Sequence, residues 1–148
     1  MATAFTFKFE GFTELQQALK SNSKLLNGQI RFEIEESGQV IVGQAKVNVV
    51  KDTGRLASSI VLEKVPDING VRVEAGGTNV TYAPYIEFGT GKLVQVPQGL
   101  ESYAMQFKGK GIKEVNLPAR PFMFPAFFAE KPKLIKKIKN VLDKLFTK

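Results

Sequence analysis

The sequence has no cysteine, no histidine and no tryptophan. Without cysteine there is neither a disulfide framework nor a thiolate metal site. Without histidine the commonest general acid–base and the commonest zinc ligand are both missing, so hydrolytic triads and zinc hydrolases are not expected. No apolar run approaches the ~20 residues of a membrane-spanning helix. The opening MATAFTFKFEG alternates apolar and polar residues and lacks the basic start and continuous apolar run of a signal peptide. The expectation is a chain made in the cytosol that stays soluble.

What is present suits one folded unit. The 148 residues, 43% of them hydrophobic, are enough for a real core, so a single domain over 1–148 is expected. The aromatic content is uneven, with twelve Phe and three Tyr. The net charge of +7 is uneven too: from Lys131 to Lys148 there are seven Lys and one Asp, a net +6. The basic character therefore belongs to one terminal element, a face for nucleic acid, an acidic protein surface or water.

Phe5, Phe7 and Phe9 alternate with polar residues, the period of a half-buried strand. Thr13 is a candidate N-cap for a helix. Apolar residues at 15, 19, 26, 30, 34, 41 and 45 keep a helical period, with gaps at Asn22 and at Ser37-Gly38. The pattern predicts one long helix or two, ending near Lys46; the β-branched Val40–Val42 and Val47–Val50 leave a strand as the alternative there. Asp52-Thr53-Gly54 is a turn signal, with Gly54 at positive φ. Ser59–Val65 and Val71–Ala75 read as a hairpin joined through Pro66–Gly70. Tyr82–Phe88 is a strand or a short helical turn. Residues 91–117 are predicted to be a long flexible loop. Pro118–Pro121 is an extended link. An amphipathic helix is expected to start after Pro132, with Lys residues on its outer face. The fold class is thus α+β: a small, mainly antiparallel sheet packed against a long N-terminal helix, with a C-terminal amphipathic helix.

Candidate sites are few. Glu87, between Ile86 and Phe88, has no second carboxylate in a comparable setting, which a paired acid and base need. It reads as a structural carboxylate for backbone amides or for a charged partner such as Arg55. GTGKL lacks the G-x-x-x-x-G-K-[ST] spacing, with Leu93 where Ser or Thr should stand, so no nucleotide loop is expected. No catalytic residue, metal ligand or cofactor is assigned. Tyr82, Tyr85, Arg120, Phe122 and Phe124 are candidates for a subunit interface, where aromatics and Arg are enriched. Lys108, Lys110, Lys113, Lys136 and Lys137 are candidates for contact with DNA or a partner.

Three segments, in order, carry a resemblance. Asp52–Ile60 (DTGRLASSI) resembles a TG-x-L-x-x-S-I turn, Tyr82–Thr90 (YAPYIEFGT) resembles YA-x-Y-x-E-F-G-T, and Pro118–Ala126 (PARPFMFPA) resembles P-A-x-P-F-x-x-P-A. Together they are similar to a phage tail-component family, typified by the gene-ten product of the lambdoid phage HK ninety-seven. Val47–Lys51 stands where that family has a Pro-containing lead-in. The resemblance implies a non-enzymatic virion part in the neck or tail-completion region. It implies a ring homo-oligomer, commonly sixfold, between head connector or adaptor and tail terminator or tube proteins. Within that pattern Asp52, Thr53, Gly54, Arg55, Glu87, Gly89 and Thr90 are motif and turn residues. The alternative is a basic nucleic-acid-binding module that contacts genomic DNA through the Lys-rich C-terminal helix.

Overall fold

The computed structural model describes residues 4–8, 24–50, 54–68, 70–105 and 116–146. The fold is α+β. Strand β1 (Ala4–Lys8) is followed by the long helix α1 (Lys24–Asn48), a single turn α2 (Arg55–Ser58), strands β2 (Val61–Val65) and β3 (Gly70–Gly76), short helices α3 (Ala83–Phe88) and α4 (Glu101–Ala104), and the C-terminal helix α5 (Met123–Phe146). The predicted Thr13 helix start, Phe9, and the Asn69 turn position lie outside the described residues.

The sheet has the order β1-β3-β2, antiparallel throughout, with Phe7 opposite Val73 and Leu62 also opposite Val73. β3 is central, and its burial alternates: Val71, Val73 and Ala75 are buried on one face. Arg72 and Glu74 point the other way, where the Arg72 guanidinium lies 3.4 Å from Glu63 and 3.6 Å from Glu74.

Helix α1 lies across the buried face. Leu26, Ile30, Ile34, Ile41, Ala45 and Val49 form its inner stripe. The helical reading of 40–48 holds, because Ile41 and Ala45 keep the stripe where β-branched residues favour a strand. The gap at Ser37-Gly38 has a packing reason. A Cβ on Gly38 would stand 2.5 Å from Leu62 Cδ1 and 2.8 Å from Val71 Cγ2, so glycine there lets the helix approach the sheet. Ser37, next to it, donates from Oγ to Glu130 Oε1 of α5 at 2.9 Å, inside the protein.

Three expectations are corrected in detail, and one left open is decided. The segment after Gly54 is a helical turn before the strand, which begins at Val61 rather than Ser59. Of the two readings of Tyr82–Phe88 the helical turn holds, over Ala83–Phe88: Pro84, in the first turn of α3, needs no amide partner there. The 91–117 stretch is not featureless, since Gly91–Leu93 form a 3-10 turn and Ala104 of α4 is buried in the main core; residues 106–115 lie outside the described residues. The terminal helix starts at Met123, and Pro132 lies inside it. Proline there removes one amide bond to the Phe128 carbonyl. Both residues are on the exposed side, while Met123, Ala126, Glu130, Leu134 and Ile138 form an unbroken buried stripe opposite.

Two cores result. The larger gathers Ile41, Ala45, Leu56, Ile60, Val73, Phe88 and Phe122 with Met123 and Phe124. The smaller joins Leu26, Ile30 and Ile34 of α1 to Leu134 and Ile138 of α5 over Val71.

Candidate functional site

The second and third motifs form one joint. Glu87 is 1% exposed. Its Oε2 accepts the amides of Phe122 at 2.8 Å and Met123 at 2.9 Å, and its Oε1 accepts the amide of Phe124 at 2.9 Å. These are amides at the start of α5, which have no partner within the helix. Pro125, next in the first turn, has no N–H to satisfy. Glu87 thus does from a distant segment what an N-cap side chain does locally. Burial pushes the Glu87 carboxyl up from its ordinary range, and the three amides pull it back down. The positive end of the α5 dipole also favours the ionised form.

The backbone around Glu87 is locked to the same segment. The amide of Arg120 donates to the Ile86 carbonyl at 2.8 Å, and the amide of Thr90 to the Leu117 carbonyl at 3.0 Å. Thr90 Oγ1 accepts from the amide of Leu117 at 3.0 Å, and Asn116 Oδ1 from that of Lys92 at 2.8 Å. Gly89, with φ of 76°, sits in this seam. A Cβ on it would come within 2.7 Å of the Leu117 carbonyl and 2.8 Å of the Ala119 nitrogen. Positive φ and close backbone approach both require glycine. Asn48, at the end of α1, donates to the Phe122 carbonyl at 3.1 Å.

The first motif joins them through the core. Gly54 has φ of 74°, and Ser58 donates from both its amide and its hydroxyl to the Gly54 carbonyl at 2.9 Å. Leu56 and Ile60 are buried with Phe88, Phe122 and Phe124. Asp52 and Thr53 lie outside the described residues.

Of the two partners open to Glu87, the amides take it. The Arg55–Glu87 pair is not made: Arg55 is exposed, and both carboxylate oxygens are occupied by backbone. The interface candidates divide. Tyr82, Tyr85 and Arg120 are exposed, whereas Phe122 and Phe124 are buried in the protomer's own core, with the Phe124 ring 5.3 Å from Phe88. Those two are withdrawn from the interface, because ring packing and the Glu87 bonds hold them inside. Phe128, further along α5, is exposed, with its ring stacked 6.0 Å from Phe124.

The lysine candidates divide as well. Lys136 is exposed. Lys137 is not free, since its Nζ lies 2.6 Å from Glu36 Oε2 and 3.7 Å from Glu33 Oε2 across the α1–α5 groove. The hydrogen bond to Glu36 raises the Lys137 pKa and lowers that of Glu36. Lys108, Lys110 and Lys113 lie outside the described residues.

One surface escaped the sequence reading. Phe32, Val40 and Val47 are exposed on the outer side of α1, Phe32 at 65% and Val47 at 70%. The signal was in the sequence: Val40 and Val47 stand seven residues apart, off the inner stripe. Gly43 lies among them with nothing within 4 Å of a built Cβ.

A family model described as "Bacteriophage HK97-gp10, putative tail-component" matches residues 13–89. The chain belongs to this HK97-gp10-like family. The match covers the long helix, the first motif and all but the last residue of the second, so the third motif of this phage tail component is tied to the matched part by the Glu87 seam. No curated protein and no solved structure matches the chain.

Proposed function

We propose that copies of this chain form a ring in the neck or tail-completion region that joins the tail to the head. The partners would be the head connector or adaptor on one side and the tail terminator or tube on the other. Six copies is the number the resemblance implies. The part is structural: it acts in the virion after assembly in the host cytoplasm, and it performs no catalytic step. Glu87, the carboxylate the motif singles out, has both oxygens engaged by amides and is closed to solvent, which supports a holding role.

The observation that carries the reading is a pair of unlike apolar surfaces. One is the outer ridge of α1, with Phe32, Val40 and Val47. The other surrounds the joint, with Tyr82, Tyr85, Leu93 and Leu117. A head-to-tail ring contact needs two different complementary patches on each copy, whereas a two-fold dimer needs one self-complementary patch. Exposed patches of this kind mark association surfaces.

The test is an add-back assay with tails and heads lacking the protein, using wild type and Val47→Glu. Val47 is outside the core, so folding should be kept, which circular dichroism checks. Loss of joining by a folded variant, with loss of the ring species in light scattering, is the expected result. A Val47→Glu protein that joins tails as well as wild type, together with a Tyr85→Glu protein that also does, would sink the reading.

A further inference from the structure

The lysines of α5 fall into two groups. Lys137 points into the groove against α1 and is held by Glu36 and Glu33. Lys131, Lys133, Lys136, Lys139 and Lys144 are exposed. Of these, Lys133 has Glu130 at 3.6 Å, and the other four make no ion pair among the described residues. Lys133, Lys136 and Lys139 recur at three-residue steps, so they descend one side of the helix over ~9 Å at 1.5 Å per residue, whereas Lys144, five residues further on, is turned toward the Lys137 side. The buried stripe of α5 lies on the opposite side, so packing does not call for these charges.

The charge balance of the chain narrows the partner. Its exposed carboxylates are mostly engaged at home: Glu35 with Lys64 and Arg31, Glu36 with Lys137, Glu63 with Arg72. Asp67 and Glu101 are exposed singly, on different elements, and Asp143, exposed on α5 itself, is engaged in an interaction of its own. A second copy therefore presents no acidic row among the described residues that would match this face. Helix α5 also contains no arginine, the residue suited to fixed, bidentate recognition of carboxylates. Flexible ammonium groups along a row, with Asp143 engaged in an interaction of its own, fit a polyanion with regularly repeated charge.

We propose that the outer face of α5 binds the phosphate backbone of double-stranded DNA, without reading its sequence, through Lys133, Lys136 and Lys139. This does not rest on the ring reading, and it separates Lys136 from its neighbour Lys137, which the sequence treats alike.

The full chain is titrated into a short labelled duplex of mixed sequence at several salt concentrations, followed by anisotropy. With three phosphates neutralised, the logarithm of the binding constant should fall against that of salt with a slope of about −2 to −3. The K133Q/K136Q/K139Q variant should flatten that slope by about two to three units and weaken binding about tenfold or more at low salt. K137Q should keep the slope. Circular dichroism verifies that each variant is folded. The proposal is overturned by absence of duplex binding, by an unchanged slope in the triple variant, or by equal losses in K137Q. It is also overturned if poly-glutamate displaces the protein as well as unlabelled duplex does at equal charge, which would assign the face to an acidic polypeptide. Because the titration reads DNA and the add-back assay reads joining, either idea can fail without the other.

Discussion

The Glu87 carboxylate bonds the amide of Phe124 at 2.9 Å across 37 positions of sequence. With the Phe122 and Met123 bonds, this contact starts the C-terminal helix from a residue of a different helix. α5 and the motif that precedes it are therefore oriented by one buried side chain.

Removing that side chain should be severe. Glu87→Ala leaves three amides in a closed, apolar setting without an acceptor, and unpaired buried groups of this kind cost ~1–3 kcal/mol each when fully unsatisfied. Allowing for water entry and relaxation, a loss of about 3–5 kcal/mol is expected in urea denaturation, comparable to breaking a buried charged interaction. A loss below about 1 kcal/mol, the size of an ordinary surface change, would contradict the capping role.

The same residue sets a pH dependence. Burial raises the Glu87 carboxyl above its ordinary value, so the folded state binds this proton more tightly than the unfolded state does. The stability of wild type relative to Glu87→Gln should be largest below the ordinary glutamate range. The difference should shrink as pH rises through the raised value and stay level above it. Paired urea curves across mildly acidic to neutral pH give the comparison; a difference that grows with pH over that window would mean the carboxyl is lowered instead.

The two glycines of α1 should respond oppositely to alanine. Gly38→Ala drives a methyl into Leu62 and Val71, and overpacking of this type costs about 1–3 kcal/mol. Gly43 is helical with open space around a built Cβ, so Gly43→Ala should stabilise by about 0.5–1 kcal/mol. Thermal melts of the two single variants read both signs.

Ser37→Ala should cost ~1–3 kcal/mol, because Glu130 Oε1 then loses its hydroxyl donor in the α1–α5 contact. The double variant Ser37→Ala/Glu130→Leu should recover part of that loss, since replacing both partners removes the unmatched group. Chemical denaturation of the single and double variants measures the coupling.

Much of the frame was legible because it rests on local rules. The period of 3.6 across Leu26, Ile30, Ile34, Ile41 and Ala45 identified the long helix, and the alternation of Val71, Val73 and Ala75 identified the strand. Proline misled twice in opposite ways. Pro132 looked like a helix start, yet α5 runs through it because its other side is buried without a break. Pro84 sits where a strand was one reading, and it instead occupies the first turn of α3.

By itself the sequence determined the class of fold, the family signalled by three ordered motifs, the Gly54 turn and the apolar stripes. Those follow from backbone sterics and hydrophobic period, which depend on near neighbours in the chain. Only the tertiary structure decided that the motifs meet, that Glu87 serves amides instead of Arg55, that Phe122 and Phe124 face inward, and that Lys137 is held while Lys136 makes no ion pair among the described residues. Each of these depends on which distant groups come within hydrogen-bonding or packing range, and helical or strand period alone carries no such distance.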